Sequence, residues 1–142
     1  MDERKVQLFT SYYSSPWLKE TPLRKVAISR GVPKWFKPDA VYLPLAPSWE
    51  LVHINDEAEY KRRYKIEVLE RLSAMKIVET FRDGAIFLCW EPAGKFCHRQ
   101  LVAEWIESTT GIVVPELSLT LLKIPKKEEP PADLQGRLDF GE

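Results

Sequence analysis

GAIFLCWEPAGKFCHRQLVAEW, residues 84–105, is the stretch from which the rest of the chain is read. From Ala85 to Trp90 it is apolar on both alternating faces, the pattern of a strand covered on both sides. From Cys97 onward it sets Leu101, Val102, Trp105 and Ile106 at helical spacing and turns Gln100, Glu104 and Glu107 outward. A short Pro/Gly loop joins the two. Strand, loop and helix in that order form the unit whose crevice binds ligands in open α/β sheets, at the carboxyl ends of the strands. Into that crevice the chain brings Cys89, Glu91, Cys97, His98 and Arg99.

The start of this helix has no ordinary cap. Helices usually open on Ser, Thr, Asp or Asn, whose side-chain oxygen accepts one of the free N–H groups. Lys95-Phe96-Cys97-His98 offers none of these. Glu91, a Cys97 thiolate, water or a bound anion could serve instead. The partial positive charge of a helix N-terminus favours thiolate and draws phosphate or carboxylate. Arg99 in the first turn would add a bidentate fork for the same anion.

Upstream, Lys5 to Tyr12 is β-branched, aromatic and apolar, and predicts a first strand. It runs into a hydroxyl-rich turn from Thr10 to Ser15, where Ser11 and Tyr12 are placed to touch a substrate or merely to shape the turn. Leu23 to Ser29 predicts a second strand, closed by Arg30-Gly31. The four prolines between Val32 and Trp49 forbid a long helix there, so short irregular pieces are expected. Lys34, Trp35, Phe36, Lys37, Tyr42 and Trp49 lie in this region. Basic residues among aromatics can stack a base and hold its phosphate, and Lys34 and Trp35 are candidates for that. The plainer reading is that the aromatics fill gaps beneath an irregular loop.

Asp56 to Leu72 predicts a helix: Asp56-x-x-Glu59 resembles a capping box, and Tyr60, Tyr64, Val68 and Leu72 form an i+4 stripe. The Lys61-Arg62-Arg63-Tyr64-Lys65 cluster suggests nucleic acid, but Glu57, Glu59, Glu67 and Glu70 favour a solvated face of ion pairs. Ser73 should cap a short helix ending at Asp83-Gly84. His53 is read as a surface or loop residue. Ile112-Val113-Val114 predicts a last strand, with Pro115 making its end an edge.

With 142 residues and no net charge, the chain has room for one domain and lacks a general electrostatic grip on nucleic acid. No apolar run approaches a membrane span, and the amino terminus is charged rather than signal-like. Two cysteines in that context point to the cytosol and to reduced thiols, although a Cys89–Cys97 redox disulfide is sterically conceivable. The expected architecture is a single three-layer α/β domain over residues 1–122, with a mainly parallel sheet and flanking helices. Residues 123–142 are charged and proline-rich and are expected to be disordered.

Thr10-Ser11-Tyr12, Pro33-Lys34-Trp35, Leu45-Ala46-Pro47, Cys89-x-Glu91 and Phe96-Cys97-His98-Arg99 occur here in the order shared by members of the domain-of-unknown-function 488 family. The chain resembles that family over roughly residues 5–118. Trp90 stands where such sequences often carry Tyr. The resemblance implies one α/β domain with its active site at these motifs, and it implies no particular reaction.

Three chemistries compete at the motif. In the first, Cys97 is a nucleophile, with His98 or Glu91 moving protons, Cys89 close by and Arg99 holding an anion. Adjacency of Cys97 and His98 is weak support for a catalytic pair, since helical neighbours point about 100° apart. The phosphatase loop, a Cys with Arg six positions later, is absent, because Lys95 follows Cys89 at that distance. In the second, Cys89, Cys97 and His98 are soft or borderline ligands with a fourth position open, which makes zinc a candidate cofactor. Their spacing matches no common zinc signature, so no metal ligand is assigned. In the third, both cysteines are small buried hydrophobes and His98 is a satisfied core histidine.

The tail adds a different class of reading. Gln135, Leu138 and Phe140 resemble the short peptides that dock on replication sliding clamps. The favoured function is therefore a cytosolic enzyme acting on an anionic, nucleotide-like small molecule. The alternative is a non-catalytic binding module linked to nucleic-acid machinery.

Overall fold

The computed structural model describes residues 7–91 and 97–118. Gln135, Leu138, Phe140 and the rest of the tail lie outside the described residues, as do residues 92–96 between Glu91 and Cys97.

Four strands form the sheet: β1 (Leu8–Tyr12), β2 (Arg24–Ala27), β3 (Ala40–Val41) and β4 (Ala85–Cys89). Their order is β1-β4-β2-β3 and every pairing is parallel. The expected α/β architecture is what forms. β4 is central, and all five of its residues are buried, as its continuous apolar run requires. Alternation along the strand then divides the core. Ala85 and Phe87 face one layer, with Leu8, Val26 and the helices, while Ile86 and Leu88 face the other, with Ala27, Leu18 and Tyr13.

Helices α1 (Trp49–Val52), α2 (Glu57–Glu67), α3 (Ala74–Thr80) and α4 (His98–Thr110) contribute to the first layer. The second layer is thinner, built on the 3-10 turn Pro16–Glu20 and the loop carrying Val32 and Phe36. The proline-rich region does break into short pieces: β3, a 3-10 turn at Leu43–Leu45, and α1.

Asp56 caps α2 by accepting from the Ala58 amide at 3.1 Å. Glu59 does not close a capping box. Its carboxylate forks instead onto Arg62 at 3.1 and 2.7 Å, an i+3 pair on the exposed face. Lys61–Glu57 and Arg63–Glu67 complete that face, so the basic cluster is matched by acid. Tyr60, Tyr64 and Val68 are buried as the stripe predicts. Ser73 caps α3 through the Lys76 amide.

The last strand is not where the β-branched run predicts it. Val113 is 59% exposed, and pairing is displaced to the residues around Glu116. There the Thr10 amide donates to the Pro115 carbonyl at 3.0 Å, and the Leu117 amide donates to the Thr10 carbonyl at 2.8 Å. Proline's carbonyl suits this edge because no N–H is asked of it. Among the described residues no helix is long and apolar enough to cross a membrane.

Candidate functional site

α4 opens on Cys97, whose backbone is extended (φ −153°, ψ 153°) and whose side chain makes no capping hydrogen bond. Because Cys97 lies just outside the helix, the roughly 100° offset between helical neighbours does not apply to it. Its Sγ stands 3.7 Å from His98 Nδ1. On the far side of the ring, His98 Nε2 is 2.7 Å from the Ile28 carbonyl. A carbonyl only accepts, so Nε2 carries the proton and Nδ1 keeps its lone pair facing the sulfur. Burial pushes the His98 pKa down to about 4, the nearby Arg99 charge adds to this, and the Ile28 carbonyl pulls the other way. At neutral pH His98 is an uncharged acceptor.

Arg99 is wholly buried. Nε and Nη2 each lie 3.0 Å from an oxygen of Glu116, a two-pronged pair. Nη1 donates to the Glu91 carbonyl at 2.7 Å and to Cys89 Sγ at 3.0 Å. Thr10 Oγ1 donates to the same Glu116 carboxylate at 2.7 Å, and the Tyr12 ring lies 5.8 Å from the guanidinium. The fork expected to clamp an external anion is filled by the protein's own carboxylate.

Cys89 ends β4 on the side of the sheet that carries Phe87, and the extended cap turns Cys97 back toward it. The two sulfurs are joined as a disulfide. Composition favours two free thiols in a reducing compartment; the fold brings the strand end and the helix cap close enough for the bond to form. Cys89 Sγ, Cys97 Sγ and a His98 ring nitrogen all lie within 4.8 Å of one another.

Above this cluster is a pocket of about 280 Å³. Besides Cys89, Cys97 and His98 it is lined by Arg30, Trp49, Tyr60, Trp90 and Glu91, with Ser29 and Gly31 at the end of β2. Arg30 is the only Lys or Arg among the described lining residues, and Glu91 the only carboxylate. Arg30 Nε donates to the Pro47 carbonyl at 2.8 Å. Trp90 Nε1 and Ser29 Oγ both donate to the Gly31 carbonyl, at 2.8 and 2.7 Å. The Tyr13 hydroxyl then donates to Ser29 Oγ at 2.5 Å. Burial, with the Glu91 charge, holds the Tyr60 hydroxyl protonated far above its ordinary range. A wider groove of about 710 Å³ also touches Arg30, but its described lining residues include no sulfur or imidazole, and its Arg63 is paired to Glu67 and Glu50.

A family model described as the Active DUF488-N3 subclade, DUF488-N3a, matches residues 19–110. The chain belongs to the DUF488 family. No curated protein and no solved structure matches it. The DUF488 match runs from before β2 to the last residue of α4 and so contains every residue named as lining the pocket. It is narrower than residues 5–118: β1 and Glu116 lie outside it.

Sequence reasoning named Cys89, Glu91, Cys97 and His98 for this DUF488 site, and the structure brings all four to one pocket. Ser11 is fully buried, and its Oγ has no hydrogen-bond partner among the described residues. By alternation from Leu8 it points to the layer opposite the pocket. Tyr12 sits against Arg99. Lys34 and Trp35 are exposed and do not line the pocket. His53 is exposed, with Nδ1 2.7 Å from the Trp49 carbonyl. Arg30, Tyr60 and Trp90 were not singled out as site residues from the sequence. The signal for Arg30 was its place directly after a strand that neighbours β4.

Proposed function

We propose that the chain is an enzyme acting on an anionic, nucleotide-like small molecule bound in the pocket beyond β2 and β4. One observation carries the reading: a neutral imidazole lone pair and two sulfurs meet at the floor of a pocket walled by aromatic side chains. Trp49 and Trp90, 60% and 51% exposed, offer flat apolar faces to a planar ring. Arg30 takes the anion-binding role that Arg99 cannot fill from within the core. Glu91 is the carboxylate at hand for proton transfer. The reactive centre is the Cys89–Cys97–His98 cluster in its dithiol form, the form that a reducing compartment maintains. The family model's description as an active subclade is in keeping with that reading.

The test is calorimetric titration of reduced protein with nucleoside mono- and diphosphates. Saturable binding is expected, weakened by about tenfold in R30A, the loss of one charge-assisted contact. W49A should also weaken it. No saturable binding by wild type at millimolar ligand would remove the reading.

A further inference from the structure

We propose that Cys89, Cys97 and His98, with both thiols reduced, form a site for a thiophilic divalent cation, zinc above all, opening onto the same pocket. This rests on reading that pocket as the reaction site, and it specifies what the floor does. Cys97 then acts as a ligand rather than as an attacking atom.

The distances fit. Zinc lies about 2.3 Å from thiolate sulfur and about 2.0–2.1 Å from imidazole nitrogen, which puts sulfur and nitrogen about 3.6 Å apart across a tetrahedral ion. Cys97 Sγ and His98 Nδ1 stand 3.7 Å apart. The Cα atoms of Cys89 and Cys97 are separated by 7.3 Å. That spacing leaves room for the two sulfurs, once reduced, to part and share one ion.

The surroundings fit as well. A metal-binding histidine normally donates its second N–H to a carbonyl or carboxylate, and here Ile28 accepts it. Cys89 Sγ accepts from Arg99, as a ligand sulfur carrying charge would. Arg99 is itself neutralised by Glu116. Two buried thiolates would therefore leave their charge unbalanced, and a divalent cation cancels it. All three ligands are buried, and all three line the pocket, whose side is left for water or a substrate oxygen as in catalytic zinc sites.

The experiment is titration of reduced, chelator-treated full-length protein with cobalt(II). One equivalent should produce thiolate-to-cobalt charge-transfer absorption in the near ultraviolet and intense tetrahedral bands in the visible. One equivalent of zinc should bleach both. C89S and C97S should each lose most of the charge-transfer intensity, and H98Q should weaken zinc by at least about tenfold. A serine in this core can unfold the chain, so the wild-type titration decides by itself. Two thiols counted by a thiol reagent, with no charge-transfer band on adding cobalt, overturns the site. Nucleoside-phosphate binding by the metal-free protein is followed in parallel. Binding without the cobalt spectrum removes the metal and keeps the pocket reading. The spectrum without binding keeps the metal and removes the proposed substrate.

Discussion

Arg99 and Glu116 meet fork to fork, Nε to Oε1 and Nη2 to Oε2, both at 3.0 Å. The guanidinium is out of water, whereas the carboxylate is 32% exposed. The pair fixes α4 to the segment that runs beside Thr10, and through Nη1 it also holds the end of β4. E116A leaves a buried cation without its counter-charge, and a loss of about 2–4 kcal/mol is expected. Urea unfolding measures it. A loss below about 0.5 kcal/mol would show that the guanidinium reaches water once its partner is gone.

Acid should loosen the metal-free protein through His98. Its folded pKa, about 4, lies below the ordinary 6.5. Between those values the unfolded chain takes up a proton that the folded chain refuses, so this contribution is complete above pH 6.5 and is lost as pH falls toward 4. The window amounts to about 3 kcal/mol. Urea midpoints between pH 7 and pH 4 should fall steeply in wild type and less so in H98Q. Parallel slopes in the two proteins would assign the acid sensitivity to other groups.

Tyr64 supports the same histidine from behind. Its ring centroid is 5.5 Å from the imidazole, and its hydroxyl donates to the buried Leu45 carbonyl at 2.5 Å. Y64F keeps the ring and removes the bond, so about 1–2 kcal/mol of stability should go. Binding in the pocket should be little altered, a split that calorimetry and unfolding together can read.

Gly84 enters β4 at φ +120°, and a Cβ there would lie 2.6 Å from Leu23 Cδ2. Gly111 closes α4 at φ +81° with nothing within 4 Å. G84A should cost more than G111A: strain plus overlap at the first, and roughly 1 kcal/mol of left-handed strain at the second. Equal shifts in thermal midpoint would mean that Leu23 moves aside freely.

What the sequence disclosed follows from how local each signal is. The buried run of β4 and the 3.6-residue stripe of α4 lie within one short stretch, and both elements formed there. Caps at Asp56 and Ser73 were legible for the same reason. The displaced pairing at Glu116 was not, because Thr10, more than a hundred positions earlier, sets it. Arg99 looked available because its partner lies 17 residues away and carries no periodic signal. Arg30, Trp49 and Tyr60 enter the pocket from separate segments that only the parallel strand order brings to one edge.

Cys97 faces both an imidazole lone pair and the pocket. Reduced, metal-free protein is treated with iodoacetamide at pH 7, and each cysteine is followed by peptide mass spectrometry. Cys97 should be alkylated in the native state, and one equivalent of zinc should slow it. Cysteines that stay unlabelled until urea unfolds the chain would contradict the account.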